Sequence, residues 1–362
     1  MSRAAIAILS TENLHHNLSI LRQASPNRRV IAMIKANAYG HGLRSVAQRL
    51  EKHVDSLGVA SINEADALRK IGIKGSITLI EGVYEPDELL IASSQKFHVV
   101  FHDKTQIDWL EKSYLPLPLS AWIKVDTGMG RLGFDLNDGE IAYERLKANP
   151  QLQQPVGIMS HLACADDKDH SLNQRQLDRF RTFVAGKPGF KSLANSPAML
   201  QFPDAHFDTV RPGLALYGVS PIQGKTAADL GLKPVMTLRT RLIAVRQMKK
   251  GSTIGYGCQF TCSDDMPMGV VAMGYGDGYP RTAGTGTPVL VNGERCQLVG
   301  RVSMDMLTID LRSCPNAKPG DPVTLWGVGL PIEEVAVHTA HVPYDLLCGI
   351  QPRVIFHWTL NS

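Results

Sequence analysis

The sequence predicts an α/β chain: an N-terminal (β/α)8, TIM-like barrel over residues 1–230, followed by a mostly antiparallel β domain over residues 231–362. Three observations carry this. From about Val30 to Val210, short β-branched runs alternate with amphipathic segments, as in a parallel sheet covered by helices. Eight such runs can be counted, seven of them followed by a helical segment, which favours a closed barrel over an open sheet. After about Gly231 the pattern becomes alternation broken by Gly and Asn turns.

Each element has a local reason. Leu14, Leu18 and Leu21 form a helical stripe ahead of the first strand, Val30–Ile34. Leu43, Val46, Ala47 and Leu50 repeat at i, i+3, i+4 and i+7, which predicts the next helix. After the strand Leu57–Ala60, Ser61 and Glu64 make a capping box ahead of Ala65, Leu68 and Ile71. The remaining barrel strands read as Ile77–Ile80, His98–Phe101, Ala121–Val125, Val156–Ser160, Lys191–Ala194 and Phe207–Val210. Beyond Gly231, Asn292-Gly293 between two alternating runs is a strong hairpin signal. No internal repeat interrupts the chain.

Composition narrows the function classes. At 362 residues, with 44% hydrophobic, 6% aromatic and 20% charged residues, the chain is a soluble globular protein long enough for a barrel plus a smaller module. The net charge is only +4 and the basic residues are scattered, so no nucleic-acid partner is expected. No apolar run approaches the ~20 residues of a membrane span, and MSRAAIAILSTENL has too short an apolar core for a signal peptide, so the cytoplasm is the expected location. The six cysteines include no C-x-x-C pair, which argues against a disulfide framework or zinc cage; they read as reduced, mostly buried thiols.

Barrels of this kind work at the carboxyl ends of their strands. The first strand ends in Lys35, followed by ANAYGHG. A lysine amine stripped of water there is a candidate base or imine-forming nucleophile; the plainer reading is a lysine that reaches solvent or pairs with a carboxylate. The seventh strand ends in Asn195-Ser196-Pro197, with Ser196 read as the N-cap of the next helix, and the eighth in Arg211-Pro212-Gly213. Barrels commonly hold a phosphate in these two loops, although without the lysine a capped helix and a structural turn would be the better reading. Lysine and phosphate site together suggest pyridoxal phosphate.

Two other patterns carry less. Gly128-Met129-Gly130-Arg131-Leu132-Gly133 fits G-x-G-x-x-G, but the next helix begins only near Asn137 or Asp138, so a dinucleotide role is not expected. His161, Cys164, Asp166, Asp167, Asp169 and His170 could be called a metal cluster; a solvated loop, with His161 as a hydrogen-bonding site residue, is the better reading, and no metal is expected.

VIAMIKANAYGHG resembles the pyridoxal phosphate signature of the alanine racemases. VDTGMGRLGF, MSHLACAD, NSPA, VRPGLALYG, TIGYGCQF, VVAMGYGDGYPR, VGRVSMDM and VPYDLLC match that family in order and spacing along nearly the whole chain. The resemblance implies a homodimer in which Lys35 carries the cofactor and acts on D-alanine, while Tyr256 from the partner's β domain acts on L-alanine. It further implies that Arg211 faces the pyridine nitrogen, where related decarboxylases carry an acid. Tyr39, Ser196, Gly213, Leu214 and Tyr344 match phosphate-binding positions, with Asn195 beside them. His161 matches a link between Arg211 and Tyr256, and Arg131 with the Met304 amide matches the substrate-carboxylate contacts. Lys124 matches a lysine often carbamylated. Tyr275, Asp166, Arg281 and Arg301 resemble residues lining the access channel. The expected function is alanine racemisation, for cell-wall precursors or alanine catabolism; a racemase of another small amino acid such as serine, a decarboxylase and a non-catalytic cofactor carrier are the alternatives.

Overall fold

The computed structural model describes residues 4–359; Met1–Arg3, where the N-terminal stretch read above begins, lie outside them. The strands are β1 (Ile6–Ser10), β2 (Arg29–Met33), β3 (Ser56–Val59), β4 (Ile77–Leu79), β5 (His98–Phe101), β6 (Leu119–Lys124), β7 (Leu152–Met159), β8 (Lys191–Ser192), β9 (Thr209–Val210), β10 (Met236–Met248), β11 (Thr253–Ile254), β12 (Phe260–Thr261), β13 (Met266–Val271), β14 (Pro288–Val291), β15 (Glu294–Leu298), β16 (Leu307–Asp310), β17 (Pro322–Trp326) and β18 (Ile355–Thr359).

All eight expected barrel runs form strands, β2 to β9, in one parallel sheet ordered β8-β7-β6-β5-β4-β3-β2-β9. The seam between β8 and β9 is closed by Asp208 N donating to Lys191 O at 3.1 Å and Arg211 N donating to Ala194 O at 2.9 Å. These last two strands are shorter than expected: beyond β8 Asn195 turns to cap a helix, and before β9 Phe207, at a φ of 47°, keeps the chain out of the ladder until Thr209. Ile31, Met33, Ile80, Val100, Trp122 and Met159 fill the barrel interior. Trp122 fits only because its neighbour is Gly157, where a Cβ would lie 2.5 Å from the indole.

The second sheet is ordered β13-β16-β15-β14-β17-β10-β1-β18 and is antiparallel except for β1 with β18. Asn292 and Gly293, both at positive φ (53° and 87°), join β14 to β15 in the expected hairpin. The region read as barrel contributes one strand here: β1 pairs with β10, and Ala7 and Leu9 pack in the β-domain core.

Two smaller expectations are corrected. Ser61 Oγ accepts from Glu64 N at 3.4 Å, but the returning arm of the capping box goes elsewhere, since the Glu64 carboxylate takes the amides of Ala60 and Ala36, each at 2.8 Å. The cysteines are free, but only Cys262, Cys296 and Cys314 are buried; Cys258 and Cys348 are exposed. Cys348 closes the helix Pro343–Cys348 and faces a cavity at the barrel mouth. Among the described residues no helix is long and apolar enough to cross a membrane.

Candidate active site

The chain leaves β2 through a turn of the wrong hand. Ala36, Asn37, Ala38 and Tyr39 have φ of 51°, 54°, 54° and 51°, a left-handed conformation that costs roughly 1–2 kcal/mol for each residue with a Cβ. Neighbours hold it: Glu64 accepts from Ala36 N, Asn37 Oδ1 accepts from Leu43 N at 2.8 Å, and His41 Nδ1 donates to Tyr39 O at 2.8 Å. Full burial pushes the His41 imidazole down to about 4, so it serves as a neutral donor. The turn aims Lys35 into the barrel mouth. In ANAYGHG only Asn37 hints at it, because alanine and tyrosine give no signal for positive φ.

Lys35 Nζ lies 3.0 Å from Glu81 Oε1, and Tyr84 OH donates to Glu81 Oε2 at 2.9 Å. Burial works to raise the Glu81 carboxyl, but the Lys35 ammonium and the Tyr84 hydroxyl outweigh it and hold it below its ordinary value. Of the two readings left open for Lys35, a carboxylate partner is therefore present. Glu81 just follows an expected strand end, a place where an acidic residue is too ordinary to mark it, and only the fold brings it to Lys35.

Arg211 is buried just beyond the end of β9. Its guanidinium donates to Ser192 Oγ at 2.5 Å, Ser160 O at 2.6 Å, Leu193 O at 3.3 Å and His161 Nδ1 at 3.2 Å. Desolvation pulls it down to about 10, still charged at neutral pH. Burial first, then Arg211, Lys124, Arg131 and Lys35, hold His161 well below its usual range, so its ring is neutral. Lys124, at the end of β6, is likewise pushed down to about 8 by burial and by Arg211, Arg131 and Lys35. The site gathers cations around a centre that the Glu81 carboxylate only partly offsets.

At the other end, Ser196 Oγ accepts from Gly213 N at 2.7 Å, and a Cβ on Gly213 would fall 2.5 Å from Tyr39 OH. Tyr39 stacks on Tyr217 with centroids 5.0 Å apart and meets Tyr344 at 5.9 Å. Burial raises both phenols, Tyr344 to about 12. The N-cap expected at Ser196 is Asn195 instead: its side chain accepts from Ala198 N at 3.3 Å, which leaves the Ser196 hydroxyl free to face Gly213.

Lys35, Tyr39, Lys124, Arg131, His161 and Asp166 open into one cavity of about 960 Å³. Asn195, Ser196, Arg211, Gly213, Leu214 and Tyr344 line the same space. An amine at one side, hydroxyls with a close-approach glycine at another and a donor-only guanidinium at depth fit the attachment, phosphate and ring nitrogen of pyridoxal phosphate.

Five expected residues lie elsewhere. Tyr256, Met304 and Tyr275 are 70%, 54% and 39% exposed on the β domain, with Arg281 and Arg301 also outside the cavity. Their loops are neighbours: Tyr275 N donates to Ser303 O at 3.1 Å, and Arg301 Nε donates to Gln259 Oε1 at 3.3 Å. His161 meets Arg211 but not Tyr256 within one chain.

The G-x-G-x-x-G segment has the form of an amide nest, but Asp126 occupies it, accepting from Gly128, Met129 and Gly130 at 2.8 Å each. The helix that follows starts at Leu136, capped by Asp135. Around His161 to His170, Asn173 Nδ2 ties the loop to Cys164 O and Asp167 O, and among the described residues no group of three or more His, Cys, Asp or Glu side chains is placed to hold a metal.

Comparison with known proteins covers both domains. The family model for the alanine racemase N-terminal domain matches residues 9–221, and that for the C-terminal domain matches residues 235–358. An alanine racemase from Nitrosococcus oceani is 48% identical over 349 residues, covering 96% of this chain and 97% of that protein. The crystal structure of biosynthetic alanine racemase from Pseudomonas aeruginosa superposes with a TM-score of 0.96 at 40% identity, covering 99% of this chain and all of the other. A Bartonella henselae alanine racemase, described with covalently bound pyridoxal phosphate, matches with a TM-score of 0.87 at 30% identity, covering 98% and 99% of the two chains.

Proposed function

The chain belongs to the alanine racemase family, and from that premise we propose that it interconverts L- and D-alanine with pyridoxal 5'-phosphate in active sites that two copies of the chain build together. The observation that carries the reading is the division of the candidate residues into two surfaces. Lys35 and Arg211 line the barrel mouth, while Tyr256 and Met304 stand exposed on the β domain. Racemisation takes the Cα proton from one face and returns one to the other, and a single rigid base favours retention. A phenol from a second copy supplies the opposite face.

The cofactor, when bound, supplies an electron-withdrawing ring that acidifies the Cα hydrogen. Lys35 would hold it by its amine and, when that amine is free, serve as the base for D-alanine; Tyr256 of a second copy would serve as the base for L-alanine. Ser196, Tyr39 and Tyr344 with the Gly213–Leu214 backbone bind the phosphate, and Asn195 keeps the Ser196 loop in place. Arg211 would meet the ring nitrogen and, having no acceptor atom, would deliver only a hydrogen bond. Arg131 and the Met304 amide of the second copy grip the substrate carboxylate. Tyr275, Asp166, Arg281 and Arg301 line the approach.

Lys124 has the properties of a carbamylated lysine. An amine pushed down to about 8 is unprotonated in roughly a tenth of molecules at neutral pH. Its lone pair adds to carbon dioxide, an N–C bond forms and a proton leaves, and the resulting anion lies among Arg211, Arg131 and Lys35. It then aligns Arg131.

That the Pseudomonas relative is described as biosynthetic favours supply of D-alanine over its breakdown, and the proposal extends this to cell-wall precursors made in the cytoplasm. The test is Cα deuterium incorporation by the holoenzyme in heavy water, across a panel of L-amino acids, with chiral analysis of the product. Alanine is expected to exchange and invert fastest, with serine well behind. Cofactor binding without exchange of alanine, or release of carbon dioxide, would overturn the reading.

A further inference from the structure

The Met304 peptide lies in an exposed loop, yet its backbone is fixed. Gly276 N donates to Met304 O at 2.9 Å and Tyr275 N to Ser303 O at 3.1 Å. Gly274 permits this approach, since a Cβ there would stand 2.3 Å from both Ser303 O and Met304 O. The donors sit in the one-turn segment Tyr275–Asp277, whose shape is set from within by Asp277. That carboxylate is fully buried: Oδ2 accepts from Gly274 N at 2.8 Å, and Oδ1 accepts from Arg353 Nε at 2.7 Å. The same guanidinium turns its Nη2 to Asp305, the residue after Met304. A third segment, between the helix Pro343–Cys348 and β18, thus fastens both loops at once.

We propose that Arg353 is a positioning residue for recognition of the substrate carboxylate. Acting through Asp277 and Asp305, it holds the Met304 amide where the carboxylate of alanine, bound in the barrel of a second copy, meets it. The inference rests on the reading that places Met304 against that carboxylate. Arg353 acts through the loops rather than as a charge for substrate, because its guanidinium already faces two carboxylates. A planar fork can join two acceptors in fixed directions, which a lysine ammonium cannot.

The test uses holoenzyme dimers of Arg353→Lys, Asp305→Asn and, as a reference for the carboxylate pocket, Arg131→Lys. Turnover is measured on alanine, and propionate, which is alanine without its amine, serves as a competitive probe of the pocket. Arg353→Lys and Asp305→Asn are expected to raise both the KM for alanine and the propionate inhibition constant about tenfold, with kcat held within about threefold and the cofactor absorbance unchanged. Asp305→Asn keeps the buried Arg353–Asp277 pair, so it remains informative should Arg353→Lys fold poorly. If Arg131→Lys weakens propionate and the other two do not, the reading of Met304 stands and the role of Arg353 falls. If none of the three weakens it, the carboxylate pocket itself is misplaced and both fall. A change that tracks loss of the dimer by sedimentation makes Arg353 merely structural and overturns the proposal.

Discussion

The carbonyl oxygen of Leu347, on the β domain, lies 2.0 Å from where a Cβ on Gly40 would stand, directly beyond the Lys35 turn. The backbone of the helix Pro343–Cys348 therefore rests on the turn that aims the lysine, and the same helix brings Tyr344 to the barrel mouth. Gly40→Ala meets two obstacles, a φ of +78° and a clash with backbone that cannot swing aside. Cofactor affinity is expected to fall at least about tenfold and the melting temperature by several degrees. Titration of the bound-cofactor absorbance and a thermal melt check this; wild-type affinity would contradict it.

Arg211 is held by four neutral acceptors, which leaves it able only to donate. Arg211→Glu is expected to lower racemisation by about two orders of magnitude and to raise the fraction of turnovers that end in amino transfer, because a carboxyl can hold a proton on a ring nitrogen. The measurement is keto acid formed per racemisation event. An unchanged ratio would show that Arg211 does not face that nitrogen.

Lys124 gives a pH dependence with a definite sign. Its folded value is about 8 against an ordinary 10.5, so between those limits the unfolded chain binds a proton the folded chain lacks, and stability rises with pH. Below about 8 the burial cost is fully present. In carbon-dioxide-free buffer at pH 7, Lys124→Met is therefore expected to gain about 2–3 kcal/mol over the wild type, a gain that fades by about pH 10.5. Labelled bicarbonate should give the wild type a carbamate carbon signal and recovered stability, with neither in the variant. Melts across pH and carbon NMR check both.

Tyr256→Phe separates the two faces. The enantiomers have equal free energy in water, so kcat/KM must fall equally in both directions, and the useful readout is Cα exchange without inversion. In heavy water the variant is expected to wash deuterium into D-alanine, with configuration retained, at least about a hundredfold faster than into L-alanine. Equal washout from both enantiomers would contradict the assignment of one base to each face.

Much of the fold was legible because its signals are local. His98–Phe101 is a bounded apolar run, and Asn292-Gly293 carries its turn chemistry in two residues. The role of β1 was not, because its AIAIL run is apolar throughout and shows no alternation that would assign it to a half-buried sheet. In the site, Lys35 and Arg211 announce themselves at strand ends. Glu81, Glu64 and Asp277 do not: an acidic residue after a strand is ordinary, and only the three-dimensional structure puts Glu81 against Lys35 and Asp277 against Arg353. Tyr256 was reached through family resemblance alone, since an exposed tyrosine in a glycine-rich turn has no local signature.

Shared active sites are the centre of the proposed function, and complementation measures them directly. Lys35→Ala and Tyr256→Phe, each nearly inactive alone, are co-expressed or mixed in equal amounts under conditions that let subunits exchange. With random pairing, half the dimers are mixed, and if Tyr256 serves the other chain, each mixed dimer keeps one intact site. Racemase activity should then return to about a quarter of the wild-type value. No recovery, in a mixture shown by mass spectrometry to contain mixed dimers, would mean that Lys35 and Tyr256 of the same chain work together.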